Sequence, residues 1–212
     1  MNNAKINLSL LALLLSIGWF IISFIFNEDP LGGASHDFKY HEKYFYYFSN
    51  NFAQTISEYG LKNEVRNSPV FYILFSKIYH MGISIDNLKY FNLFIIFSLI
   101  FFFNKCLDLK YNNPNNKIKF LLISCIFLSP TIRSLINYPY PLIWAICFFL
   151  ISIYFFLKFK KVNELKRSNC LLCILNLSIA SYFTPNFSVF IIFFFYYFFL
   201  NFKISKNLVI LI

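Results

Sequence analysis

Apolar segments long enough to cross a lipid bilayer recur along most of the sequence. They are predicted at about residues 6–26, 88–107, 118–132, 139–157, 169–184 and 187–202. About 20 apolar helical residues cover the hydrocarbon core of a bilayer, so this pattern predicts an all-α, polytopic transmembrane helix bundle of about six spans. The uncharged stretch over 169–202 is too long for one crossing, and Thr184-Pro185-Asn186 divides it into a hairpin.

The long polar segment over residues 27–87 separates the first two predicted spans. Residues 37–59 place a set of apolar side chains on one helical face: Phe38, Phe45, Phe48, Phe52, Ile56 and Tyr59. Ser35 or Asp37 would cap this amphipathic helix, which would end before Gly60. Because the helix is too polar to span, we expect it to be interfacial, with its apolar face held in the membrane surface.

A shorter helix is predicted over residues 69–81, where Ser68-Pro69 gives a start signal and Gly82 a stop. Its length of about 20 Å leaves open whether it spans or lies at the interface. If it does not cross, one side of the membrane carries 12 basic and two acidic residues, and the net charge of +10 lies there. Lys and Arg are retained in the cytoplasm, so the N-terminus is predicted to be cytoplasmic and residues 27–87 exterior.

Composition agrees with a membrane protein, since 58% of the residues are hydrophobic and only 13% are charged. In a soluble protein the net positive charge would suggest binding to nucleic acid. Here the retention of Lys and Arg on the cytoplasmic side of the membrane accounts for it. We therefore expect the lipid bilayer, and no nucleic acid, as a partner. The five cysteines lie in or beside apolar runs, where packing is a better explanation than disulfides or a metal site.

Candidate chemistry is concentrated in the exterior segment, which offers Asp29, His36, Asp37, His41 and Glu42. Asp37 and His41 are spaced i,i+4 and would share a helix face. A carboxylate beside the membrane could act as a general base or hold a divalent cation, and the simpler alternative for Asp37 is a helix cap. Arg133 would pair with a phosphate or extend to the interface.

No motif of a nucleotide-binding loop, a HExxH metalloprotease or a GxSxG hydrolase is present. The order of features instead resembles the polytopic GT-C glycosyltransferases, which take a sugar from a polyprenyl-phosphate carrier on the outer side of the membrane. A first span is followed by GGASHDFKYHEKY, NSPVFYILFSKIYHMG, a basic inner loop and SPTIRSLINYPYPLIWAICFFLISIYFFLKFKK. The resemblance implies that Asp37 is the catalytic carboxylate, which deprotonates the acceptor directly or through a metal. His36, His41, Glu42 and Arg133 would bind substrate around it.

Members of that family are usually longer, and many carry a further acidic residue where this chain has Asn137-Tyr-Pro-Tyr. The final run NLVILI resembles the start of another helix, so we expect residues 1–212 to be a C-terminally truncated single transmembrane domain. The expected location is the inner membrane of a bacterium. The alternative function is a non-catalytic multi-pass component of surface-polysaccharide transport or assembly.

Overall fold

The computed structural model describes residues 7–60, 67–112, 114–161 and 167–201. Within these ranges the chain is helical and contains no strand. The elements are α1 (Leu8–Ile25), α2 (Ala34–Asn50), α3 (Phe52–Glu58), α4 (Pro69–His80), α5 (Ile85–Tyr111), α6 (Asn116–Leu128), α7 (Pro130–Asn137), α8 (Pro141–Lys161), α9 (Arg167–Phe183), a 3₁₀ turn (Pro185–Ser188) and α10 (Val189–Asn201). The predicted all-α fold is confirmed.

Three helices, α1, α5 and α8, are long and apolar enough to cross a membrane. Helices α6 and α7 together make a fourth candidate span, bent by 56° between them. Helices α9 and α10, with 17 and 13 described residues, are shorter. The described part of the chain is therefore an integral membrane protein with three or four candidate spans.

The helices alternate in direction, so polar groups collect at two ends of the bundle. We call the end that holds residues 26–60, 67–89 and 129–140 the loop end. The opposite end, where α5 and α8 finish and α6 begins, carries Lys105, Lys110, Lys117, Lys119, Lys158, Lys160 and Lys161, and we call it the lysine end. Apart from Arg167 at the start of α9, the described basic residues outside this group lie at the loop end.

Helix α2 starts and stops at other residues than the sequence indicates. It begins at Ala34, and Gly33 takes the N-cap position without a side chain to cap the helix, so Ser35 and Asp37 are not its caps. Asp37 lies instead in the first turn of the helix. The chain then breaks at Asn51, and the rest of the predicted amphipathic helix is the separate α3.

The apolar face of α2 is covered by protein. Phe45 and Phe48 are buried, and the ring of Phe45 lies 5.7 Å from that of Phe75 in α4, centroid to centroid. Phe71 of α4 and Phe183 of α9 belong to the same buried cluster. The expectation that the whole apolar face rests in the membrane surface is therefore wrong for these residues, because α4 occupies the space beside them.

Helix α4 confirms the start and stop signals of its sequence. The Ser68 side chain accepts a hydrogen bond from the Val70 N–H at 3.4 Å, and Pro69 is the first helical residue. The chain leaves the helix through Gly82, whose φ of +88° a residue with a Cβ rarely adopts. At 12 residues α4 is not a candidate span, and its interfacial placement stays a prediction.

One buried asparagine joins three helices near the loop end. Asn92 of α5 is fully buried, and its Nδ2 donates to the carbonyl oxygens of Leu135, Ile136 and Tyr138 at 3.1–3.2 Å. Its Oδ1 accepts a hydrogen bond from Trp144 Nε1 of α8 at 3.2 Å. The last carbonyls of a helix have no partner within it, so Asn92 satisfies groups that α7 leaves free and holds α7 against α5 and α8.

Candidate functional site

The loop after α1 is attached to α7 by an ion pair and an amide. Arg133 Nη2 pairs with Glu28 Oε2, and Arg133 Nε donates to Ser23 Oγ at 3.3 Å. Asn137 Nδ2 donates to the carbonyls of Glu28 at 2.8 Å and of Ser23 at 3.2 Å. Hydrogen bonds from Arg133 and Ser23 lower the pKa of Glu28, so this carboxylate is charged at neutral pH.

Asp29 links α7 to the start of α2. Its Oδ1 accepts from Ser134 Oγ of α7 at 3.0 Å, and its Oδ2 accepts from the backbone N–H of Ser35 at 3.0 Å. Ser134 Oγ also accepts from the Leu31 N–H at 3.1 Å. Burial acts to raise the pKa of Asp29, but these hydrogen bonds outweigh it and the pKa is lowered. Asp29 therefore fixes the first turn of α2 to α7 as an ionised group.

His41 lies under the second turn of α2, inside a group of aromatic rings. Its Nδ1 is 2.6 Å from the hydroxyl of Tyr72 in α4, and the ring of Tyr140 meets it edge-on at 4.8 Å between centroids. Burial lowers the pKa of His41 to about 4, although the charge of Asp37 opposes this. His41 is therefore a neutral imidazole at pH 7.

Tyr140 connects His41 with two carboxylates. Its hydroxyl donates to the carbonyl of Ala34 at 3.2 Å, at the start of α2. Burial raises the pKa of Tyr140, and the negative charges of Asp37 and Asp29 raise it further. The phenol stays protonated, and its one proton is donated to the Ala34 carbonyl, with both carboxylates nearby. Asp37 itself is exposed to solvent above this ring.

The structure brings some of the predicted site residues together and separates others. Asp37 and His41 are close enough for the charge of the first to act on the second, and both adjoin Tyr140. His36 is exposed in the first turn of α2, and Glu42 faces Tyr46. Arg133 is buried in its pair with Glu28. The substrate-binding roles of these residues stay predictions.

Several residues of this site were not candidates from the sequence, among them Tyr72, Ser134 and Tyr140. Tyr140 had a local signal in the Tyr-Pro-Tyr-Pro segment, which stiffens the chain before α8. Tyr72 and Ser134 had none, because each acts through a partner 31 or more residues away in the chain.

The described residues contain no group of three or more His, Cys, Asp or Glu side chains arranged to hold a metal ion. Asp37 is the exposed carboxylate of the site and Asp29 is already held by two hydrogen bonds, so a cation would rely on Asp37 and on groups from the substrate. The divalent cation therefore stays a prediction.

Comparisons with known proteins do not add to this picture. No protein-family profile matches the sequence, and no characterised protein or solved structure matches it.

Proposed function

We propose that this protein is a membrane glycosyltransferase that moves a sugar from a polyprenyl-phosphate carrier to an acceptor hydroxyl. The observation that carries the proposal is the setting of Asp37. An exposed carboxylate is held over a buried Tyr–His cluster, on a helix whose first turn is fixed to α7 through Asp29. Such attachment holds a reacting group in place without restricting access to it.

In the proposed reaction Asp37 takes the proton of the acceptor hydroxyl. The freed oxygen attacks the anomeric carbon of the sugar, and the bond between that carbon and the phosphate oxygen breaks. The carrier leaves as a polyprenyl phosphate, so charge passes from Asp37 to the phosphate. His41 is neutral and Tyr140 is protonated, so neither side chain adds a charge beside Asp37.

The membrane orientation belongs to the same proposal. Of the charged residues that the structure describes at the lysine end, seven are lysines and one, Asp108, is acidic. Basic residues are retained in the cytoplasm, which supports a cytoplasmic lysine end and an exterior loop end. Asp37 then faces the side on which polyprenyl-linked sugars are used, and α9 and α10 would complete a bundle of about six spans.

The experiment is a transfer assay in proteoliposomes, with a panel of labelled polyprenyl-phosphate hexoses and pentoses as donors. Asp37→Asn should lower the rate at least 100-fold, which is the usual contribution of a positioned general base. Asp86→Asn is the matched control, because Asp86 is also an exposed carboxylate in the first turn of a helix at the loop end.

Equal rates for wild type and Asp37→Asn would remove the catalytic assignment. Absence of both transfer and donor binding in the wild type would favour the alternative, a non-catalytic component of surface-polysaccharide transport or assembly.

A further inference from the structure

A cavity between α5 and α6 lies at the lysine end, away from the loop end. The two helices are consecutive, but each packs against a different neighbour. The ring of Phe127 in α6 meets Phe20 of α1 at 5.1 Å, whereas Phe102 of α5 meets Tyr154 of α8 at 5.4 Å. The resulting gap encloses about 260 Å³.

The wall of this cavity changes from apolar to polar along its length. The four apolar lining residues, Ile100, Phe101, Phe120 and Ile123, lie toward the middle of the two helices. Asn104, Asn116 and Lys119 line the part nearest the helix ends. Phe101 remains 55% exposed, so the cavity is an open groove on the side of the bundle that would face lipid.

Lysines are concentrated near the ends of the two helices that form the groove. The Lys105 amine lies 5.6 Å above the ring of Phe101, which lines the groove. Lys110 and Lys117 are exposed on the same helix ends. Lys119 is paired with Asp108, the acidic residue among them, so the other three lysines leave an excess of positive charge.

We propose that this groove binds one phospholipid with an anionic headgroup. One of its acyl chains lies along the apolar wall, and its phosphate lies at the polar end of the groove, near Lys105 and Lys117. The pairing of an apolar wall with a cationic mouth matches this occupant. A zwitterionic lipid gains less from the lysines, and a soluble anion gains nothing from the wall. The proposal does not depend on the transferase activity.

A basic residue near the surface of an anionic membrane contributes about 1 kcal/mol to lipid binding, which is about fivefold in affinity. The double variant Lys105→Gln/Lys117→Gln removes two exposed lysines and leaves the Lys119–Asp108 pair intact. The matched control, Lys160→Gln/Lys161→Gln, removes two exposed lysines from α8 at the same end of the bundle.

Native mass spectrometry of the purified full chain, from micelles containing equal phosphatidylglycerol and phosphatidylcholine, measures which lipid is retained. We expect wild type and control to retain one phosphatidylglycerol in preference to phosphatidylcholine. In the Lys105→Gln/Lys117→Gln variant the ratio of retained phosphatidylglycerol to phosphatidylcholine should fall at least fivefold. Phe101→Ala should lower retention of both lipids, since it removes part of the wall.

Two results would overturn the proposal. One is an equal loss of preference in the α8 control, because the selectivity would then come from the general charge of the lysine end. The other is complete displacement of phosphatidylglycerol by an equal concentration of free glycerol phosphate, because the apolar wall would then contribute nothing.

Discussion

Replacing Asn92 by leucine should destabilise the bundle measurably, because Asn92 joins α5, α7 and α8. The substitution keeps the branched shape of the side chain but removes the donor to three carbonyls of residues 135–138 and the acceptor for Trp144 Nε1. All of these contacts converge on a fully buried side chain. The buried carbonyls of Leu135 and Ile136 would lose their donor where water does not reach to replace it.

The expected cost follows from the number of bonds. An amide has two protons, so Asn92 supplies about two full donor bonds and one acceptor bond. A buried hydrogen bond contributes about 1 kcal/mol net, and those between membrane helices average about 0.6 kcal/mol. The total loss is therefore about 2–3 kcal/mol. For a chain of this size that lowers Tm by roughly 4–12 °C.

Thermal unfolding in detergent micelles, followed by circular dichroism, measures this shift. Asn87→Leu on the same helix is the control, because Asn87 is exposed, and its effect should stay within about 0.5 kcal/mol. A double-mutant cycle with Trp144→Phe should give a coupling of about 1 kcal/mol. If Asn92→Leu melts with the wild type, α7 is held by something other than this side chain.

Two further effects follow from the loop end. His41 has a folded pKa of about 4, below its usual 6.5, so the unfolded chain binds a proton that the folded chain does not. The free energy of unfolding should therefore fall by about 3 kcal/mol as the pH drops from 6.5 to 4. In thermal melts recorded across this pH range, His41→Phe should lose most of this pH dependence. An unchanged pH dependence in His41→Phe would contradict the burial assigned to His41. Ser134→Ala should cost about 1–3 kcal/mol in chemical denaturation, because Asp29 and the Leu31 N–H lose a buried partner. Ser98→Ala, whose hydroxyl bonds within its own helix, should have little effect, and equal costs for the two would refute the role of Ser134.

Much of the fold could be predicted from local sequence. Ser68-Pro69 and Gly82 mark the ends of α4 because capping and positive φ depend on neighbours in the chain. The long spans α1, α5 and α8 follow from runs of apolar residues alone. The start of α2 was placed wrongly, because Gly33 took the cap position that Ser35 and Asp37 favoured by residue type.

The candidate site was only partly predictable, for a different reason. Asp37 and His41 were found because they share a helix, so their spacing in sequence is their spacing on a face. The ion pair between Arg133 and Glu28 joins residues 105 positions apart, and no local pattern reports it. The sequence alone is compatible with a phosphate or the membrane interface as the partner of Arg133, whereas in the fold its partner is the Glu28 carboxylate.

The sequence by itself determined that the chain is helical, crosses a membrane and separates its charges toward two ends, because these properties depend on residue type and order. Tertiary structure decided what each apolar or charged face meets. Lipid tails and buried side chains are equally apolar, so the pattern of α2 could not show that Phe45 and Phe48 pack on α4. The burial of His41 and the attachment of the loop to α7 likewise depend on neighbours distant in sequence, which only the folded chain brings together.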